Sequence, residues 1–123
     1  MIALETSALI AIVLQEPEAS KCAAAIAADS DRKISAGTLA EAMIVADGRK
    51  VGDAMKALVE RLKAEIVPVR AEKVAEAYRQ WGKGNHPAGL NFGDCFAYAL
   101  AKELACPLVF IGSDFTRTDI MPA

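Results

Sequence analysis

Two rhythms alternate along this chain. Brief segments at residues 2–4, 33–35, 65–69 and 108–111 have the length of strands, and the stretches between them repeat their apolar residues at helical spacing. Residues 8–14 are apolar on every side, which predicts a central helix, with the hydroxyls of Thr6 and Ser7 as its caps. Pro17 suits the first turn of a second helix over 17–28, and Asp29-Ser30-Asp31-Arg32 reads as a polar turn. A helix starting at Thr38 is interrupted at Asp47-Gly48 and resumes over 51–64, with Met55, Leu58, Val59 and Leu62 on one face. Pro68 places the third strand at a sheet edge or at its own end. Residues 71–81 carry a stripe of Val74, Ala77, Tyr78 and Trp81, read as core. A Gly- and Pro-rich loop over 82–90 leads to a last long helix at 91–104. The tail 114–123 is expected to add a short edge strand near Asp119-Ile120.

Strands alternating with helices predict an α/β fold: a three-layer sandwich around a mainly parallel sheet of four to five strands, in one domain over 1–123. In such a sheet, ligands bind outside the carboxyl ends of the strands. Glu5 and Asp114 follow the first and last strands directly, and Glu41 and Asp94 lie in the first turns of two helices. All four are therefore expected at one sheet edge. Carboxylates gathered there repel one another unless a cation neutralises them, and a divalent ion with oxygen ligands also supplies chemistry.

Each acid has a structural reading too. Thr38-Leu39-Ala40-Glu41 is a capping-box pattern, Asn91 with Asp94 caps the last helix, and Asp114 suits a turn after its strand. Glu5 is harder to assign that way, since it separates an apolar strand from an apolar helix. Gly93, a poor helix former beside Asp94, suggests close backbone approach.

Composition narrows the function. A net charge of −2 excludes a uniformly basic nucleic-acid coat but leaves room for a local basic rim of Arg79, Lys83 and His86. The 3 cysteines, Cys22, Cys95 and Cys106, lack C-x-x-C spacing and read as reduced thiols. His86, the only histidine, reads as a solvated loop residue. The N-terminus lacks a basic leader and the apolar run at 8–14 is too short to span a bilayer, so the expected location is the cytoplasm. A phosphoryl-transfer enzyme also gathers acids at strand ends, but Glu5-Thr6-Ser7 lacks a phosphatase's paired aspartates, and no lysine follows the last strand as a phospho-receiver requires.

Four stretches together resemble the PIN-domain ribonucleases of the VapC toxin type. Met1-Ile-Ala-Leu-Glu-Thr-Ser-Ala8 resembles the family's opening strand and its Asp-Thr-Ser-Ala, with Glu5 standing where the family pattern has aspartate. Ser35-Ala-Gly-Thr-Leu-Ala-Glu41 resembles the second acidic motif, and Asn91-Phe-Gly-Asp-Cys-Phe-Ala-Tyr-Ala99, the most specific stretch, resembles the third. Gly112-Ser-Asp-Phe-Thr-Arg-Thr-Asp-Ile120 resembles the closing motif. The resemblance implies metal-dependent cleavage of structured cellular RNA such as tRNA, with Mg²⁺ or Mn²⁺ held by Glu5, Asp94 and Asp114. Glu41 would orient or deprotonate the attacking water or hold a second ion; Thr6, Lys83 and Arg117 would contact substrate. Asp119, a nearby acid, ranks below Asp114 because it does not follow the strand directly. A homodimer and a cognate VapB-type antitoxin are implied as well. The extra methylene of Glu5 opens an alternative: a catalytically weakened PIN domain acting mainly as a partner of its antitoxin.

Overall fold

The computed structural model describes residues 1–123. Strands β1 (Ile2–Leu4), β2 (Arg32–Ser35), β3 (Glu65–Val67) and β4 (Leu108–Val109) form one sheet in the order β3-β2-β1-β4, every pair parallel. Between them run helices α1 (Thr6–Leu14), α2 (Ala19–Ala27), α3 (Ala36–Gly48), α4 (Gly52–Leu62), α5 (Ala71–Trp81) and α6 (Phe92–Leu104). Side chains alternate across a strand, so β1 and β4 each feed two cores. Ile2, Leu4, Ile34 and Val109 pack with Leu9, Ala42, Met55 and Leu58 from α1, α3 and α4. Ala3 and Leu108 face the other way, onto Val74, Ala77, Ala97 and Leu100 of α5 and α6. The result is the three-layer sandwich with a four-stranded parallel sheet.

β1 has β2 on one side and β4 on the other, so the strand order reverses between β1 and β4. Connections leave that point in opposite directions and open a crevice at the carboxyl ends of the two strands. The register Leu4↔Val109 sets Glu5 beside the residues that follow β4.

Several local expectations are corrected. α1 begins at Thr6, and its N-cap is Glu5 itself. α2 starts at Ala19, leaving Pro17 in the preceding turn. α3 starts at Ala36, two residues before Thr38, capped by Ser35, whose Oγ accepts from the Gly37 N–H at 3.2 Å. Thr38 is buried inside that helix and its Oγ1 has no hydrogen-bond partner. α3 runs through Asp47-Gly48 and breaks just beyond, where Lys50 has φ 60°. β4 ends at Val109, not at residue 111. The tail forms no strand at Asp119-Ile120; its single bridge joins Pro122 to Leu108. Tyr78 is exposed and not core, its hydroxyl donating to the Lys83 carbonyl at 3.1 Å. His86 is half-buried, its ring edge-to-face with Trp81 at 4.7 Å and its Nδ1 accepting from the Ala88 N–H at 2.9 Å.

Cys22, Cys95 and Cys106 are free and buried. No helix is long and apolar enough to cross a membrane.

Candidate active site

Glu5 leaves β1 at the crevice and turns its carboxylate back onto the first turn of α1. It accepts from the Ser7 backbone N–H at 2.8 Å and from the Ser7 hydroxyl. Ser7 Oγ in turn accepts from the Ile111 N–H at 2.9 Å, so one hydroxyl links the end of β1 to the chain leaving β4. Only 4% of Glu5 is exposed. Burial raises its pKa to about 7; the Ser7 hydrogen bonds oppose the rise, and the charges of Asp94 and Glu41 add to it.

Asp94 sits in the first turn of α6 in a complete capping box. Its N–H donates to Asn91 Oδ1 at 2.8 Å, and its Oδ2 accepts from the Asn91 N–H at 3.0 Å. The residue is 6% exposed. Burial raises its pKa to about 6; the Asn91 N–H opposes this, and the charges of Asp114 and Glu41 reinforce it. Capping and membership of an acidic cluster thus coexist in one side chain.

Glu41 does not reach back to Thr38. It lies inside α3 and accepts at Oε1 from the Thr6 hydroxyl at 2.5 Å. Its carboxylate rests over Gly93, where a Cβ would overlap it. Gly93 is therefore the close approach that its poor helix propensity suggests. Gly93→Ala should gain up to about 1 kcal/mol in helix propensity, so stability should hold or rise slightly. The displaced Glu41 carboxylate should nevertheless cost about 10²-fold in activity, since a misplacement of ~1 Å has that effect. Urea denaturation and cleavage rates on one preparation would check both, and undiminished cleavage would show Glu41 to be dispensable.

Asp114 is exposed on the turn after β4, within electrostatic reach of Asp94. Asp119 faces elsewhere: it accepts from the Tyr98 hydroxyl at 2.7 Å and pairs with Lys102 at 2.9 Å, which pins the tail to α6. Thr6 is buried beside Glu41. Lys83 is exposed at the start of the loop leading to α6, its N–H bonded to the Leu90 carbonyl at 2.9 Å. Arg117 is exposed on the same turn as Asp114. The structure thus sets Glu5, Glu41, Asp94, Asp114 and Thr6 around one crevice, with Lys83 and Arg117 on flanking loops. The Ser7 bridge was not foreseen; a hydroxyl two residues after an acid that caps a helix was its signal.

As placed, no three of these side chains stand close enough to share one metal ion. The donor set still fits a hard divalent cation. All its donors are carboxylate oxygens, and two of the acids are held above their usual range by burial, with neighbouring negative charge adding to it, a condition that a bound cation relieves.

Residues 2–121 match the PIN domain family. The chain is 41% identical over 123 residues to ribonuclease VapC30 of Mycobacterium tuberculosis, covering 95% of this chain and 94% of that protein. It is 39% identical over 127 residues to ribonuclease VapC28 of the same organism, covering 98% and 96%. This chain belongs to the PIN domain family. Its fold matches the crystal structure of M. tuberculosis VapC20, described as a sarcin-ricin loop cleaving toxin, with TM-score 0.80 and 18% identity over 100% of this chain and 98% of that one. A toxin–antitoxin complex from Klebsiella pneumoniae matches with TM-score 0.72 and 19% identity over 97% and 93%. At these identities the two structures speak to the fold alone.

Proposed function

We propose that this chain is a metal-dependent endoribonuclease toxin of the VapC type, cutting structured cellular RNA such as tRNA, acting as a homodimer and neutralised by a VapB-type antitoxin. One observation carries the reading: two buried carboxylates, Glu5 and Asp94, gather where the strand order reverses, both within the field of Glu41, with Asp94 acting on Glu5 and Asp114 on Asp94. The ribonuclease names of relatives near 40% identity, matched over nearly their whole length, support it.

Glu5, Asp94 and Asp114 would hold Mg²⁺ or Mn²⁺, which when bound acidifies a water and neutralises phosphate charge. The remaining work belongs to side chains. Thr6 fixes Glu41 through Oε1, leaving Oε2 to accept the proton of an attacking water. Ser7 holds the Glu5 carboxylate against the β1–β4 seam, and Asn91 holds that of Asp94 through its N–H. Lys83 and Arg117, on the flanking loops, would take the flanking phosphates.

Purified protein free of antitoxin should cleave RNA with Mg²⁺ or Mn²⁺ and stop when EDTA is added. Cleavage that persists in chelator would overturn the metal-dependent reading. The tie of Glu5 to Ser7 favours a second reading, a weakened enzyme serving mainly as the antitoxin's partner. Glu5→Asp separates the two: a rate near the parent's supports the active toxin, and a rise of orders of magnitude supports the weakened one.

A further inference from the structure

Phe92 is 70% exposed although it is apolar and belongs to the helix that carries Asp94. Its ring meets that of Phe96 edge-on, with centroids 4.8 Å apart at 66°. Phe96 is itself seated against Gly37, where a Cβ would overlap its ring, one turn before Glu41 on α3. The pair therefore spans the α3–α6 seam, and the backbone next to Phe92, at Gly93, touches the Glu41 carboxylate. An aromatic ring stands open to solvent at the rim of the acidic crevice, and a second ring holds it in place.

We infer that Phe92 is a base-stacking platform that positions an unpaired nucleobase of the RNA beside the scissile phosphate; this rests on the ribonuclease reading above. Four carboxylates and a chain charge of −2 repel a phosphate backbone, so beyond Lys83, Arg117 and a bound cation, affinity at this rim gains from contacts that carry no charge. A nucleobase has a π-face whatever its identity, and stacking on an aromatic side chain is a common means of holding single-stranded or looped RNA. The other exposed aromatic, Tyr78, is on α5 with its hydroxyl engaged by Lys83. Phe92 buries little and caps nothing, so the fold gains little from an aromatic at this position.

The experiment uses the intact protein and a short single-stranded oligoribonucleotide carrying 2-aminopurine, titrated in Ca²⁺ to read binding and in Mg²⁺ to read cleavage. Binding to the parent should quench the 2-aminopurine fluorescence. Phe92→Ala should weaken binding about tenfold and lose the quench. Its KM should rise by a similar factor with kcat nearly kept, and Phe92→Trp should restore both. Equal binding and quenching by parent and Phe92→Ala would overturn the platform. So would a change in solution mass on Phe92→Ala, which would assign the ring to contact with a second copy, together with the exposed apolar residues Met43, Ile44 and Val45 of α3. A parent that neither binds nor cuts RNA would instead remove the ribonuclease reading, and the platform with it.

Discussion

Asp94→Asn is expected to lower RNA cleavage by ~10³-fold or more while leaving the protein folded. Losing one charged ligand removes several kcal/mol of stabilisation, and each ~1.4 kcal/mol is a factor of ten. The substitution separates the two roles of the side chain. An asparagine carbonyl oxygen can still accept from the Asn91 N–H, so the capping box and the start of α6 should survive. It also removes one of the charges that raise Glu5, so the metal-free protein should be no less stable than the parent. Cleavage in Mg²⁺ beside thermal melts of both proteins would check this. Undiminished cleavage would place the chemistry elsewhere or in a contaminant, and a collapsed melting curve would mean that the aspartate serves mainly the helix.

Most of the architecture can be read in the chain because its signals are local. Each strand is a brief segment next to a turn residue, and each helix has a face set by spacing of three and four. The positions of the acids follow from the same logic, since whatever follows a parallel strand emerges at one edge. Caps were harder to place. Both Ser35 and Thr38 carry a hydroxyl before an apolar run, and the choice fell on Ser35 because β2 runs straight into α3 with no connector. That shift puts Glu41 inside the helix, on a side reached by Thr6 and not by its own backbone. The Ser7 link needed the β1–β4 register, which is a tertiary fact. The tail forms turns and not a strand, with Asp119 held by Tyr98 and Lys102 of α6, contacts that are tertiary. Tyr78 shares a stripe with buried neighbours but stands at its margin, where a polar tip finds the loop carbonyl.

Metal-free stability should fall as pH rises from about 4.5 to 8, the reverse of an ordinary salt-bridged carboxylate. Glu5 and Asp94 move from 4.5 and 3.8 to about 7 and about 6, so the folded chain binds protons more tightly than the unfolded one. Their contribution is complete below the unfolded values and is lost as pH passes through the folded ones. A shift of two units corresponds to about 3 kcal/mol for either group alone. The two do not simply add, because part of the Glu5 shift is the charge of Asp94. Asp29, Glu72 and Asp119 are lowered by their hydrogen bonds and act only at more acidic pH, and the buried thiols titrate above this window. Mg²⁺ or Mn²⁺ should restore stability chiefly at the alkaline end, where the acids are ionised and repel, and by an amount that grows with ion concentration. Glu5→Gln should flatten the pH curve, stabilise the metal-free protein near pH 8 and lose most of the gain from added ion. Urea titrations at several pH values, with EDTA and then with Mn²⁺, would decide the matter. A flat parent curve, or a Gln variant that Mn²⁺ stabilises as strongly as the parent, would mean that Glu5 is satisfied by Ser7 alone and takes no part in holding an ion.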